Sequence, residues 1–217
     1  MTPLAPLTEN QKVYLRNGLR ELCAVFWGPN DKWCEEAFQG AFLKVFDDPA
    51  WPLDRQASEV LEQISAFAAT FEKPAALCRT LEEEYVRLFI NHHSGVPAPL
   101  FHSCYTSGDR RLMGEPARMM KALLAEQGLD LAASVHEPAD HLSIELEYLY
   151  YLLDKGWQTN ERRMIEEARR FASAAMLPWV QVFFHRLEGE AGTPFYPCAT
   201  ALLIMLLRGI ADLPWKA

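Results

Sequence analysis

A carboxylate and an imidazole stand next to each other at Asp140 and His141, near the start of a strongly apolar segment. These residue types serve enzymes and metal sites, and a carboxylate also pairs with basic ligands. The preceding Pro138 fits the first position of a helix, because a proline there loses no hydrogen bond. Asp140 would then be the third helical residue and could simply accept from free backbone N–H groups. Residues 137–141 therefore predict either a functional site or an ordinary helix start.

The segment from Asn91 to Gly108 is the other candidate for chemistry. Its prolines and glycines interrupt any helical or strand period, which predicts a long loop. It carries three imidazoles and a thiol, at His92, His93, His102 and Cys104. The histidines could bind a metal, but no pattern of carboxylates lies near them in the sequence. Cys104 and one of the histidines could form a nucleophile–base pair, which needs a spatial contact that spacing alone does not show. Because no phosphate-binding, dinucleotide-binding, zinc-protease or hydrolase motif occurs elsewhere, we expect no catalytic residue, metal or cofactor.

Helical periodicity indicates the elements that must position these residues. Apolar side chains recur every three or four residues in about nine segments. The predicted helices cover about residues 8–26, 31–46, 54–71, 74–89, 112–127, 137–156, 160–175, 178–187 and 194–210. No β-hairpin pattern and no alternation of strands with helices appears. The sequence predicts an all-α, compact, bundle-like fold, with a single domain over residues 1–217 and a candidate hinge at 130–137.

Composition narrows the partners and the compartment. Half of the residues are hydrophobic, which excludes a disordered chain, and the net charge of −8 disfavours nucleic acid or an anionic membrane as partner. A basic or apolar partner fits better. No apolar run reaches the roughly 18–20 residues of a membrane span, and residues 1–7 do not resemble a signal peptide, so we expect a cytoplasmic protein without stable membrane insertion. Five widely spaced cysteines, an odd number, predict reduced thiols.

Several short segments, read together, resemble one protein family in order and spacing. They are Tyr85-Val86-Arg87-Leu88-Phe89, Pro97-Ala98-Pro99, Ser103-Cys104-Tyr105, Leu112-Met113-Gly114, and Glu137-Pro138-Ala139-Asp140-His141-Leu142 followed by Glu145-Leu146. The chain is thereby similar to the TorD/DmsD/NarJ group of redox-enzyme maturation chaperones over about residues 80–155. Phe195-Tyr196-Pro197 also looks like the C-terminal segment of that family. Because family motifs occur in both segments, we expect the loop from Asn91 to Gly108 to lie next to the start of the helix at Glu137.

The resemblance implies a system-specific cytoplasmic chaperone and not an enzyme. Such a protein would bind the twin-arginine signal peptide, or the apo form, of a molybdenum-cofactor oxidoreductase of anaerobic respiration, and would hold it until cofactor insertion, before export. The residues assigned to the peptide-binding surface on this basis are Tyr85, Leu88, Phe89, Pro99, Tyr105, Gly114, Glu137, Pro138, Asp140 and His141. In residues 100–103 the chain departs from the family's usual proline and acidic residues, which leaves the identity of the client open.

The chemistry of such a leader agrees with this interpretation. A twin-arginine leader carries adjacent arginines followed by an apolar stretch, so its receptor needs carboxylates beside an apolar groove. Asp140 and Glu137 would supply the carboxylates. Tyr85, Leu88 and Phe89, at i, i+3 and i+4 on one helical face, would supply the groove. Core packing is the competing interpretation of Leu88 and Phe89.

Two other functions remain open at this point. The chain could be a helical metal-binding protein or enzyme that uses loop 91–108 with Asp140 and His141, or it could be a general helical interaction module. Its assembly is also open between a monomer and a dimer that exchanges helices about residues 130–136.

Overall fold

Helices form the regular structure of the chain in a computed structural model that describes residues 7–47, 55–93, 95–106 and 112–213. The α-helices in these ranges are α1 (Glu9–Trp27), α2 (Asp31–Phe38), α3 (Ala41–Phe46), α4 (Arg55–Ala68), α5 (Pro74–Tyr85), α6 (Ser103–Thr106), α7 (Glu115–Glu126), α8 (Leu142–Gln158), α9 (Arg162–Arg170), α10 (Leu177–Glu190) and α11 (Phe195–Ala211). These described ranges contain no strand, only an isolated antiparallel bridge between Phe101 and His141. The all-α prediction is confirmed.

The start of α1 follows directly from its sequence. Thr8 caps the helix by accepting from the Gln11 backbone, and the Gln11 side chain accepts from the Thr8 backbone in return. This reciprocal capping box satisfies two N–H groups that the helix itself leaves unpaired. The predicted third helix also forms, although its expected first residue, Asp54, lies outside the described ranges.

Two predicted helix boundaries are wrong. The segment from Asp31 to Phe46 forms two helices, because Gly40 adopts a left-handed conformation with φ of 80°, which ends a right-handed helix. Conversely, α9 and α10 join through a π-helical segment, Phe171–Met176. A proline inside a helix lacks an N–H group and crowds the carbonyl four residues earlier, and the wider π-helical turn before Pro178 accommodates it.

The core lies around α8, which packs against α1 and α9, and around the apolar α11, which packs against α1, α4 and α10. Leucines form much of this contact, including Leu15, Leu19, Leu22, Leu146, Leu149, Leu153, Leu203 and Leu207, all fully buried. Each buried leucine contributes about 1.5–3 kcal/mol relative to exposure. The first turn of α8 is held against α1, because the Ser143 hydroxyl donates to the Cys23 carbonyl at 3.2 Å.

The prediction of five reduced thiols is wrong. Cys34 of α2 and Cys78 of α5 form a disulfide, with their Cα atoms 5.3 Å apart, while Cys23, Cys104 and Cys198 are free and buried. The two partners are 44 positions apart and belong to no recognisable pair motif, so their contact depends on how α2 packs against α5. Among the helices in the described ranges, none is both long and apolar enough to cross a membrane.

Candidate functional site

The loop after residue 95 and the start of α8 are bound together, as the sequence predicts. The backbone N–H of His102 donates to the Asp140 carbonyl at 3.0 Å, and the N–H of Leu142 donates to the Leu100 carbonyl at 2.8 Å. Phe101 and His141 form the β-bridge between them. The predicted proximity is confirmed for the described part of the loop, while its expected end at Gly108 lies outside that part.

The predicted helix start at Pro138 is wrong, because α8 begins at Leu142. Pro138 instead opens a turn in which its carbonyl accepts from the His141 N–H at 3.0 Å. His141 is the N-cap, with an extended backbone, and its Nδ1 accepts from the Ser143 N–H at 3.2 Å. A proline is compatible with either a first helical turn or a β-turn, so its presence did not decide between them.

Asp140 is fully buried and serves as a structural clasp. Its Oδ2 accepts from the Ser103 backbone N–H at 2.8 Å and from the Ser103 hydroxyl. The Ser103 Oγ in turn accepts from the Gly114 N–H at 3.0 Å. A Cβ atom at position 114 would lie 3.1 Å from that Oγ, so glycine permits the close approach. Asp140 and Gly114 therefore meet, but through Ser103, and the carboxylate is not exposed to a ligand.

A second buried cluster lies behind the clasp. Glu145 accepts from Trp179 Nε1 at 3.0 Å, and its other oxygen lies 2.9 Å from His102 Nδ1. Burial raises the pKa of Glu145, although these two partners oppose the effect. The His102 ring stacks on Trp179, with ring centroids 5.3 Å apart. His102 is therefore committed to Glu145 and not gathered with the other imidazoles of the loop.

His92 and His93 contact each other, with ring centroids 4.2 Å apart. Within the described residues, no group of three or more histidine, cysteine or acidic side chains is arranged to hold a metal ion. Cys104 is buried.

Three rings, those of Trp27, Phe101 and His141, form a partly open cluster, here called the aromatic surface. His141 is its buried member. The His141 and Trp27 rings stack with centroids 4.8 Å apart, and Phe101 meets His141 edge-on at 5.2 Å. Trp27 and Phe101 are half-buried. Trp27 Nε1 donates to the exposed Glu147 at 3.0 Å. Burial lowers the pKa of His141 to about 4, so its ring is neutral near pH 7.

Tyr85 borders this surface through the end of α1. Its hydroxyl donates to the Phe26 carbonyl at 3.0 Å, and its ring packs closely on Gly28, which has a φ of 107° that favours glycine. Burial and, secondarily, the negative charge of Glu137 raise the pKa of Tyr85 to about 12. Glu137 is exposed, and Pro138, its neighbour in the chain, is half-buried.

Leu88 and Phe89 are core residues, only 0% and 3% exposed. The Phe89 ring packs between Phe26, Phe183 and Tyr196. The prediction placed these residues on one face of a regular α-helix. The chain instead continues past α5 as a π-helical turn, Val86–Ile90. The predicted open groove of Tyr85, Leu88 and Phe89 does not exist, and only Tyr85 retains partial exposure.

Tyr105 and Pro99 contact each other within the loop that carries Phe101. The Tyr105 hydroxyl donates to the Pro99 carbonyl at 2.8 Å, and its ring packs on Trp179 with centroids 5.4 Å apart. The Arg186 guanidinium lies 4.4 Å from the centre of the Tyr105 ring. These residues therefore belong to the cover of the Glu145 cluster and support the loop that carries Phe101.

A separate polar groove runs between α7 and α9. One cavity there, of about 430 Å³, is lined by Glu126, Gln127, Glu161, Arg163, Met164 and Glu167. Glu167 accepts from the Tyr148 hydroxyl at 2.5 Å. Its lining among the described residues includes none of the predicted site residues, so this groove is an independent surface.

Comparison with known proteins shows which family the chain belongs to. The sequence profile of the nitrate reductase delta subunit family matches residues 50–185. The chain belongs to this family. Relatives named chaperone protein TorD are 32% identical over 130 residues in Vibrio vulnificus and 33% identical over 133 residues in a Psychrobacter species. These alignments cover 57% and 59% of this chain, and the chain spans about three fifths of the length of each relative.

A solved structure described as a redox enzyme maturation protein from Archaeoglobus fulgidus is similar over 91% of both chains, at a TM-score of 0.49 and 20% identity. The predicted resemblance to the TorD/DmsD/NarJ group is confirmed by the family profile and the TorD relatives.

Several residues that shape the site were not predicted from the sequence. They are Trp27, Phe101, Ser103, Glu147 and Trp179. Trp27 is more than a hundred positions from His141, and no local periodicity relates the two. A tryptophan in the last turn of α1, just before Gly28, was the one available signal, because a large ring at a helix end is often half-exposed.

Proposed function

We propose that this protein is a cytoplasmic, system-specific chaperone for a molybdenum-cofactor oxidoreductase. It binds the twin-arginine signal peptide or the apo form of its client and holds it until the cofactor is inserted, before export. Membership of the delta subunit family and the TorD relatives support this proposal. The structural observation that carries it is the aromatic surface, whose Trp27 donates to the exposed Glu147. A second exposed carboxylate, Glu137, lies four positions before His141 in the chain.

Paired arginines suit this surface better than lysines or apolar residues alone. An exposed ion pair contributes only about 0.2–1 kcal/mol, so a carboxylate by itself binds arginine weakly. A guanidinium can also stack on an aromatic face, which adds about 0.5–2 kcal/mol. Trp27 and Phe101 offer such faces beside Glu147, and the neutral His141 does not repel the positive charge.

Asp140 has a different role in this proposal from the direct arginine contact predicted from sequence. Its buried carboxylate holds Ser103, and through the paired backbone it fixes Phe101 against His141. Asp140 is therefore a positioning residue, and Gly114 serves with it. Tyr85 borders the surface through its bond to the Phe26 carbonyl, and Pro138 opens the turn that leads to His141. Leu88 and Phe89 are core residues, and Tyr105 binds the Pro99 carbonyl within the loop that carries Phe101.

Calorimetric titration tests the proposal with synthetic twin-arginine leaders from the molybdoenzymes of the same genome. We expect one leader to bind, and the double variant Glu137→Gln/Glu147→Gln to bind it at least about tenfold more weakly. Glu62→Gln is the matched control, since Glu62 is an exposed glutamate of α4. If no leader binds the wild type, the proposal is wrong. If Glu62→Gln loses as much affinity as the double variant, the carboxylates of this surface have no specific role in binding.

A further inference from the structure

Two buried side chains anchor α2 in the core. This helix has only eight residues, and its buried members are Trp33 and Cys34. Cys34 forms the disulfide with Cys78 of α5, and the Trp33 ring packs edge-on against Phe195, with centroids 5.8 Å apart. A helix of this length has little stability of its own. The disulfide therefore supplies a large part of what keeps α2 in place.

The chain runs from the aromatic surface directly into α2. Trp27 is the last residue of α1, and residues 28–30 connect it to α2. Asn30 caps α2 by accepting from the Trp33 N–H at 3.0 Å, which fixes the connection at its far end. A displacement of α2 is therefore transmitted to Trp27 through three residues.

α5 contacts this part of the chain at two points. One is the disulfide, where the Cα atoms of Cys78 and Cys34 are 5.3 Å apart. The other is Tyr85, whose hydroxyl donates to the Phe26 carbonyl at 3.0 Å and whose ring would lie 3.2 Å from a Cβ atom at Gly28. The two points are about 10 Å apart along α5. Cleavage of the disulfide removes the covalent contact and leaves the Tyr85 contact.

A disulfide in the cytoplasm, where the proposed function places this protein, is normally reversible. Cellular reductants keep cysteines there reduced, and the pairs that do form are usually transient, catalytic or redox-sensing. Cys34 and Cys78 are buried, but their neighbours Glu35 and Arg79 are exposed, so the bond lies just beneath the surface. Local opening of the short α2 would expose it to a small-molecule thiol.

Two other thiols do not compete for this chemistry. Burial raises the pKa of the Cys198 thiol to about 11. Burial, together with the negative charge of Glu147, raises the pKa of the Cys23 thiol still higher. Because the thiolate is the form that exchanges with disulfides, both thiols remain unreactive near pH 7.

We propose that Cys34 and Cys78 form a reversible thiol–disulfide switch that controls the affinity of the aromatic surface for the client's leader. This inference rests on the proposed function. In the disulfide form α2 is fixed, and Trp27 is held in the binding geometry. Reduction releases α2, and the reduced protein binds the leader more weakly because Trp27 must be ordered on binding.

The exchange partner is a small-molecule disulfide, such as oxidised glutathione. The Cys34 thiolate attacks one of its sulfur atoms and releases a small-molecule thiolate. The Cys78 thiolate then attacks the Cys34 sulfur of this mixed disulfide and releases the second small-molecule thiolate. The two protein thiols lose two electrons and two protons, and the small-molecule disulfide becomes two thiols. An excess of the reduced thiol reverses the reaction.

Thiol counting and hydrogen exchange test the structural half of the inference without a ligand. Native protein equilibrated with mixtures of reduced and oxidised glutathione, then unfolded in acid and alkylated, should change reversibly between three and five alkylated thiols. Reduction should speed exchange of the amides of residues 28–38 at least about tenfold and leave α8 unchanged. A pair that stays oxidised under a large excess of reduced glutathione, or equal exchange in both forms, overturns the inference.

Calorimetric titration tests the functional half. The probe is a synthetic peptide with two adjacent arginines followed by an apolar stretch of about 12 residues. Reduced wild type should bind it at least about fivefold more weakly than oxidised wild type. Cys34→Ala/Cys78→Ala should bind like the reduced wild type and ignore reductant. The matched control Cys198→Ala removes a thiol outside the pair and should keep the full response to reductant.

The comparison of oxidised and reduced wild type uses the native sequence, so it decides the matter even if the double variant does not fold. Equal affinity of the two forms overturns this inference alone, and the proposed function stands. If neither form binds the peptide, the proposed function fails and this inference fails with it.

Discussion

The carboxylate of Asp140 is fully buried and binds both the backbone N–H and the hydroxyl of Ser103, 37 positions earlier in the chain. This contact joins the loop that carries Phe101 to the turn that precedes α8. The residue that the sequence marks as the best direct ligand for arginine is thus the residue that builds the surface from behind.

Removal of the Asp140 carboxylate should therefore affect stability. Charge-assisted hydrogen bonds contribute about 1.5–3 kcal/mol each, and Asp140→Ala would also leave the Ser103 N–H buried without a partner. We expect a loss of about 3–5 kcal/mol in the free energy of unfolding, measured by urea denaturation. The control Asp130→Ala, at an exposed linker position, should change it by less than about 0.5 kcal/mol. Similar small losses in both variants would show that Asp140 is not a clasp.

Trp27 should determine how well the surface distinguishes arginine from lysine. Trp27→Ala removes the half-buried ring beside Glu147 and should weaken leader binding by about 2 kcal/mol, as is typical of an aromatic anchor. The wild type should also prefer a leader with paired arginines to one with paired lysines, and the variant should lose that preference. Titration of both leaders into both proteins measures this. A preference that survives in Trp27→Ala would place the arginines elsewhere.

The buried His141 should make stability depend on pH. Its pKa is lowered to about 4 in the folded protein, from the ordinary histidine value of 6.5, because burial disfavours the charged ring. The unfolded chain therefore binds the proton first, and stability is lost as pH falls from about 6.5 to about 4. The expected loss is up to about 3 kcal/mol, at 1.36 kcal/mol per pKa unit.

Comparison of variants isolates this effect, because the raised pKa of Glu145 acts in the opposite direction over part of the same range. His141→Asn keeps a good N-cap residue and should remove the His141 contribution from urea unfolding measured between pH 4 and pH 7. The exposed His185 provides the control His185→Asn, which should behave as wild type. Identical pH profiles for wild type and His141→Asn would contradict the buried neutral ring.

The Cys34–Cys78 bond predicts a defined thiol count. Unfolded without reductant, the protein should show three reactive thiols, from Cys23, Cys104 and Cys198, and five after reduction. Reduction should also lower the free energy of unfolding by about 2–4 kcal/mol, since the bond closes a segment of 44 residues. In Cys34→Ser, reductant should have no effect on unfolding. Five thiols without reductant would show that the bond does not form.

Local pattern predicted the helices well, because their apolar side chains recur at the helical period and some starts carry a cap, such as the Thr8 capping box. It failed where two local structures suit the same residue. Pro138 fits a helix start as well as it fits a turn, and only the pairing of residues 100–102 with 140–142 decides for the turn. The π-helical turn at Val86 likewise has no signal in the sequence, which left Phe89 open between a binding face and the core. The structure places Phe89 in the core.

Only part of the candidate site was predicted, because some of its residues are brought together by contacts between distant parts of the chain. Residues 137–141 and the preceding loop were correctly placed together, since both carry motifs. Trp27 belongs to no motif, and the motif that contains Ser103 does not indicate its partner. Their roles arise from the packing of α1 against α8 and from a bond across 37 positions. Contacts of that range depend on the complete fold.

Photo-crosslinking tests the central claim most directly. A bound twin-arginine leader, with a benzophenone side chain next to its arginines, should crosslink to the segments that contain Trp27, Phe101 and Glu137, as identified by mass spectrometry of the digested complex. Glu137→Gln/Glu147→Gln should reduce this yield, and Glu62→Gln should not. Crosslinks that map instead to the groove between α7 and α9, around Glu126 and Arg163, would contradict the account.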